Sequence, residues 1–377
     1  MQSNPKGFER LKRQGHRNHQ FDLLRIFFAT LVLLSHAPEI TDGNSSRELF
    51  HRLTGSPLTL GTIGVDGFFL LSGYLIVQSW LADPHLLNFL RKRVLRIVPG
   101  YVVAVIVSTL VVGLLAPGIP RFFQGIDVHF LNSVALLGSP ATPPVFPGRP
   151  YAAVNGALYT IAYEFRCYLL VAFLGLCGVL RRPAIVLALA FAFLSSLLYV
   201  PPFDRLDWPR HVVALVGQPS AVFRLTAVYL IGCCFFLLRG KIRFRPSYGL
   251  ATTALVIVCF VFAPSRGELA MVLGGGYLMF YIGQMELSWL SWMSHVPDIS
   301  YGIYLYGWPV ESLWIWFHRG SPWITFLAST FICFGLGWLS WHLVERPALA
   351  LKRKSVSRLP PRTLTDANIV SSVPGTH

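Results

Sequence analysis

FDLLRIFFATLVLLSHAP, residues 21–38, is an apolar run of about the length that crosses a bilayer as a helix, and it carries Arg25 and His36 inside its hydrophobic span. The two are eleven positions apart. At about 100° per residue this is three turns plus about 20°, so both side chains project from one face. At about 1.5 Å per residue they lie about 16 Å apart along the axis, roughly half the hydrocarbon thickness. One face thus presents a fixed cation toward one membrane surface and a titratable imidazole toward the other. An Arg in mid-span costs about 2.5–3.5 kcal/mol on insertion scales, which directs it to a protein interior or a wet cavity. The other arrangement open to the sequence has Arg25 snorkelling to the near interface and His36 closing the far end.

The rest of the chain agrees with a membrane setting. Of 377 residues 54% are hydrophobic and 13% charged, against about a quarter charged in soluble domains. Apolar stretches recur at about 21–38, 62–81, 94–116, 158–180, 183–200, 219–238, 247–263, 268–286, 299–317 and 323–344. The expected fold class is therefore all-α: a polytopic membrane protein of about ten transmembrane helices. The net charge of +15 is distributed by side. With the N-terminus inside, 21 of the 32 Lys and Arg fall on inner segments and eight on outer ones, with Arg25, Arg166 and Arg224 inside spans. This places both termini in the cytoplasm. It also gives the basic charge a reason other than nucleic acid, for which no motif is present. Residues 1–20 read as a basic cytoplasmic tail, 21–346 as the membrane domain, and 347–377 as a cytoplasmic, disordered tail. The first span ends without a small-x-small cleavage site, so it is read as uncleaved. The six cysteines lie in apolar runs with no metal-ligand spacing, and they read as small apolar fillers; no metal is expected.

Several intramembrane groups are candidates for chemistry. The second span begins GVDGFFLLSG, in which Asp66 enters from the outer side at a depth close to that of His36. A carboxylate there either fixes the tautomer of a basic imidazole or simply caps the helix. Glu164, in LYTIAYEFRCYLL, lies within two turns of the outer side, as a second partner for His36 or in an ion pair with Arg224. At the cytoplasmic mouth, FLRKRVLRIVPGY places Arg93 and Arg96 three apart on one helix face, near the level of Arg25. Three guanidiniums there suit a polyphosphate; a positive-inside anchor on lipid headgroups is the other reading. The ninth span, ISYGIYLYGWPVESLWIWF, holds Glu311 among aromatic residues read as packing, and Glu345 and Arg346 read as a helix-end anchor.

Arg25 and His36 with ten residues between them, GVDGFFLLSG, RVLR at Arg93–Arg96, YEF at Tyr163–Phe165, SYGIYLYGWP and ERP together resemble the acyltransferase 3 family, integral-membrane acyltransferases of the O-antigen acetylase type. The resemblance runs in order from about residue 20 to 350. It implies ten or so helices in a bacterial inner membrane and no bound cofactor. It also implies acyl-CoA, with acetyl-CoA the expected form, as a donor on the cytoplasmic side. The acceptor it implies is a hydroxyl of a carbohydrate such as O-antigen, exopolysaccharide or glycolipid. By position, Arg25, His36, Arg93 and Arg96 correspond to the functional Arg/His pair and RxxR of the family. On this reading Arg25, Arg93 and Arg96 bind the donor, and His36 deprotonates the acceptor or accepts the acyl group, oriented by Asp66 and Glu164. Gly307 stands where many members have His, so that imidazole is missing here. The chain stops soon after the last span, so the appended SGNH-type domain of some members is not expected. A carrier or flippase for an anionic lipid-linked glycan, a non-catalytic subunit, or an acyltransferase acting on a cytoplasmic small molecule are the competing readings.

Overall fold

The computed structural model describes residues 19–115, 122–123, 125–195, 208–285, 296–318 and 320–356. Most of the basic N-terminal tail, residues 116–121 and 124, and the end of the C-terminal tail lie outside the described residues. All regular structure among the described residues is helical. The helices are α1 His19–Asp42, α2 Leu49–Thr54, α3 Leu60–Ala82, α4 Leu86–Leu115, α5 Val128–Ala135, α6 Tyr159–Leu176, α7 Pro183–Leu194, α8 Arg210–Val216, α9 Pro219–Leu237 and α10 Pro246–Phe262. Then α11 Gly267–Ala270 continues through a π turn, Met271–Gly275, into α12 Gly276–Gln284. Last come α13 Ser300–His318, α14 Pro322–Ser340, a second π turn, Trp341–Glu345, and α15 Arg346–Val356.

Among the described residues each apolar stretch falls mainly in helix, and six helical segments there are long and apolar enough to cross a membrane. Two boundaries differ from the sequence reading. The third apolar helix starts at Leu86 instead of 94, because the basic run Arg91–Arg96 is itself helical and turns charges toward a cavity. At the other end, residues 346–356 are helical where a disordered tail is expected. That helix lies on α4, where the Arg91 guanidinium donates to the Leu351 carbonyl at 2.9 Å.

The most enclosed helix is α3, packed between α1 and α9. Two glycines set the α3–α9 crossing. A Cβ at Gly73 would collide with the Tyr229 carbonyl, and one at Gly232 with the Leu70 carbonyl, so the two backbones meet where neither carries a side chain. A second crossing brings α13 onto α14 at Gly302 and Gly337. Proline shapes α13 differently. Pro309 has no N–H to give the carbonyl of Leu305, and the Asn155 amide donates to that carbonyl at 2.9 Å instead. The irregular 138–158 segment is thereby tied to the middle of a buried helix.

At the far end of α1, a strap of residues 43–59 is held by one buried carboxylate. Glu48 accepts from the N–H groups of Phe50 and His51 in the first turn of α2, and from Leu60 N–H at the start of α3, at 2.8–3.2 Å. These donors are orphans of two helix starts, so a single side chain caps both helices.

Candidate active site

A cavity of about 530 Å³ opens among α1, α3, α4, α6, α13 and the second π turn. Arg25, Arg93 and Arg96 all line it, with Glu164, Tyr168, Thr160 and Tyr304 deeper along its wall. Its electrostatics centre on Asp298, just ahead of α13. Its carboxylate accepts from Arg25 at 3.1 Å, from Arg96 at 2.5 Å and from the Ser300 hydroxyl at 2.5 Å. Arg96 also reaches Glu345 at 3.3 Å, and its guanidinium lies over the rings of Tyr301 and Trp341. Gly100 leaves room for the Tyr301 ring, whose hydroxyl donates to the Ile97 carbonyl at 2.9 Å.

Arg93 is held differently. Its guanidinium lies over the rings of Phe89 and Tyr168, at 5.8 and 5.9 Å from their centroids, and donates to the Ser79 hydroxyl at 3.3 Å. Its Nε is buried with no hydrogen-bond partner, and it forms no ion pair with a carboxylate among the described residues. A buried cation without a counter-ion is costly, and an incoming anion removes that cost. The neighbouring Lys92 is occupied by Asp83 at 2.6 Å. Asp83, partly exposed at the α3–α4 corner, is held below the usual carboxylate range by its hydrogen bonds to Lys92 and His85.

Glu164 belongs to this cavity and accepts from Tyr168 at 2.6 Å and Ser72 at 2.8 Å. The far end of the cavity is made by Thr160 and Tyr304, whose hydroxyls are hydrogen-bonded to each other. Tyr304 also donates to the Ala157 carbonyl at 2.7 Å.

His36 does not line the cavity. It sits one turn of α13 beyond Tyr304, with its ring edge-on to Trp308 at 5.0 Å between centroids and its side chain 15% exposed. The carboxylate beside it is Glu311, which is fully buried, with Oε2 3.9 Å from His36 Nδ1. Neither atom has a hydrogen-bond partner, nor does Trp308 Nε1, so three unsatisfied polar atoms gather around the imidazole. Such a cluster is set up to receive a polar group. One turn further along α1, Glu39 accepts from Tyr151 at 3.0 Å, and the Tyr151 ring meets Trp308 edge-on. Burial and the Glu39 carboxylate push the Tyr151 hydroxyl up to about 12.

The sequence suggested Asp66 and Glu164 as the partners of His36, and the structure gives both a different neighbour. Asp66 is bound by Arg224 at 2.5 Å, and Arg224 holds Glu268 at 2.5 Å through its other side. This partly buried triad ties α3, α9 and α11 together. Arg224, considered for Glu164, pairs with Asp66 instead because Ser72 and Tyr168 already satisfy Glu164. Asp298 is the site group that sequence reasoning passed over, while Glu311 was named without a role and Glu345 was read as a helix-end anchor. Glu311 was open to detection, because a carboxylate in mid-span deserves the same suspicion as an arginine there. Asp298 gave no signal, since a lone acid before a helix is ordinary.

A family model described as an acyltransferase domain matches residues 18–342. The chain is 27% identical over 364 residues to "Nodulation protein 10" of Rhizobium leguminosarum bv. viciae, covering 91% of this chain and 96% of that protein. It is 24% identical over 356 residues to the "O-acetyl transferase" of Shigella phage Sf6, covering 91% of this chain and 99% of that one. No solved structure matches. With the family model spanning most of its length, the chain belongs to the acyltransferase 3 family and is an O-acyltransferase.

Proposed function

We propose that this enzyme moves an acyl group, acetyl in the first instance, from acyl-CoA on the cytoplasmic side to a hydroxyl of a carbohydrate acceptor at the opposite side. The membrane is the bacterial plasma membrane, crossed by about ten helices with both termini inside, and residues 21–346 form the catalytic unit. The observation that carries the reading is one cavity lined by three guanidiniums, with an imidazole–carboxylate pair further along the same two helices, α1 and α13. Support for the orientation comes from the Lys/Arg asymmetry. The relative named O-acetyl transferase supports acetyl and a hydroxyl acceptor.

In this mechanism Arg93 receives donor phosphate first, because Arg25 and Arg96 already share Asp298. The latter two frame the mouth on either side. The pantetheine arm runs along the wall formed by Ser72, Glu164 and Tyr168, and passes the Thr160–Tyr304 pair at the neck. Glu311 faces the Nδ1 side of His36 at 3.9 Å, leaving Nε2 to take the proton of the acceptor hydroxyl. That oxygen attacks the thioester carbonyl, the carbon–sulfur bond breaks, and the imidazolium returns its proton as the CoA thiol leaves. Asp66 serves the scaffold through Arg224.

The test is transfer of radiolabelled acetyl from acetyl-CoA to surface polysaccharide in membranes carrying wild-type or His36→Ala enzyme. Label in the ester fraction that disappears with His36→Ala, while acetyl-CoA binding persists, supports the assignment. Transfer at the wild-type rate by His36→Ala removes it, and a protein that consumes no acetyl-CoA is a carrier.

A further inference from the structure

A second cavity of about 540 Å³ lies at the end of α1 away from the arginine cavity, lined by Leu34, Pro38, Leu49, Pro322 and Trp323 with Asp42, Arg47 and Arg52. Its walls are the last turns of α1, the start of α14 and the capped strap with α2. At about 100° per residue, Leu34 and Pro38 stand roughly 200° from His36, so the same turns of α1 carry this trough on one side and the imidazole on the other.

Exposed apolar side chains extend the trough along both helices. On α14, Trp323, Leu327 and Phe331 are exposed at spacings of four, and on α1 the exposed Phe27 is seven residues before Leu34. These rows continue the trough toward the middle of the membrane. Leu53, the most exposed apolar residue of α2, and Trp323 place its open end at the boundary where amphipathic and aromatic side chains gather. Its polar end is cationic. Arg47 is matched by Asp42 at 3.1 Å, whereas Arg52 makes no ion pair among the described residues. The end therefore has two guanidiniums against one carboxylate. An apolar trough open to lipid and closed by an unmatched guanidinium complements an amphiphile with a long chain and a phosphate headgroup.

We propose that this trough is a binding site for a phosphate-bearing lipid, whose chain lies between α1 and α14 and whose phosphate is held by Arg52. The strap is held firmly enough to serve, because Glu48 caps both α2 within it and the start of α3. The site requires nothing of the chemistry at His36.

Native mass spectrometry of the whole protein, released from nanodiscs of phosphatidylcholine with a minor fraction of phosphatidic acid, provides the test. Wild type is expected to retain phosphatidic acid above its share of the bilayer. Arg52→Gln lowers that retention about tenfold, as loss of one charge-assisted contact does. Leu34→Trp lowers it by filling the trough, and Asp42→Asn raises it by freeing Arg47. Equal retention by wild type, Arg52→Gln and Leu34→Trp overturns the proposal. Displacement of the lipid by inorganic phosphate also overturns it, since that marks a soluble-anion site. Retention is measured without acyl-CoA, so its failure and a failure of acyl transfer are separate outcomes.

Discussion

Replacing Arg224 by Met gives a sharp test of the reading that Asp66 is a scaffold residue. The guanidinium lies 2.5 Å from both Asp66 Oδ1 and Glu268 Oε1, and the Asp66 side chain is 4% exposed. For charge centres about 4 Å apart, an effective dielectric near 20 gives about 4 kcal/mol per pair. The substitution removes both attractions and leaves two carboxylates facing one another. Uptake of a proton by one of them limits the damage, so the net cost is about 3–5 kcal/mol. At about 2–4 °C per kcal/mol the melting midpoint falls on the order of 10 °C. Adding Asp66→Leu and Glu268→Gln to Arg224→Met removes the stranded charges and recovers most of the loss. Fluorescence-detected size exclusion after heating steps, at one fixed heating protocol, measures each midpoint in detergent. Turnover per folded molecule in the triple variant is expected to stay within about threefold of wild type. A triple variant that melts like wild type but transfers no acyl group would refute the argument, because Asp66 would then be needed by the chemistry itself.

Glu311→Gln keeps the shape of the His36 neighbour and removes its charge, so kcat falls about 10²-fold with KM for acyl-CoA unchanged in steady-state assays. Arg93→Ala raises the KM for acyl-CoA about tenfold or more and leaves kcat nearly unchanged, and Arg93→Lys fails to rescue it because an ammonium does not stack on Phe89 and Tyr168 in the same way. Tyr151 ionises near 10 in an unfolded chain and near 12 here, so its neutral hydroxyl favours the folded state and that contribution is lost as pH climbs from about 10 to about 12. Melting midpoints measured across that range drop less steeply in Tyr151→Phe than in wild type.

Much of the architecture was legible because hydropathy and helix phase are local properties. The positions of Arg25 and His36 follow from counting residues, and the structure turns both inward, one to Asp298 and the other to Glu311. The same counting puts Arg93 and Arg96 on one face, and both line the arginine cavity. What depth alone cannot supply is azimuth. Counting from the outer side put Asp66 and Glu164 near the level of His36, yet the packing of the helices sends one to Arg224 and the other to Ser72 and Tyr168. Glu311 was masked by its aromatic neighbours, which suggested packing. Asp298 acquires its role only when α1, α4 and the start of α13 are brought together, 273 residues separating it from Arg25.

Pro309 has a practical consequence for anyone exchanging parts between relatives. By withholding one amide it turns the Leu305 carbonyl outward as a socket, and Asn155 is the plug that fits it. Grafting a foreign 138–158 segment therefore transplants only half of a joint. A chimera that carries the loop without a matching amide leaves that carbonyl dry and unanswered inside the protein, and the graft is anchored only when loop and helix are moved as a pair.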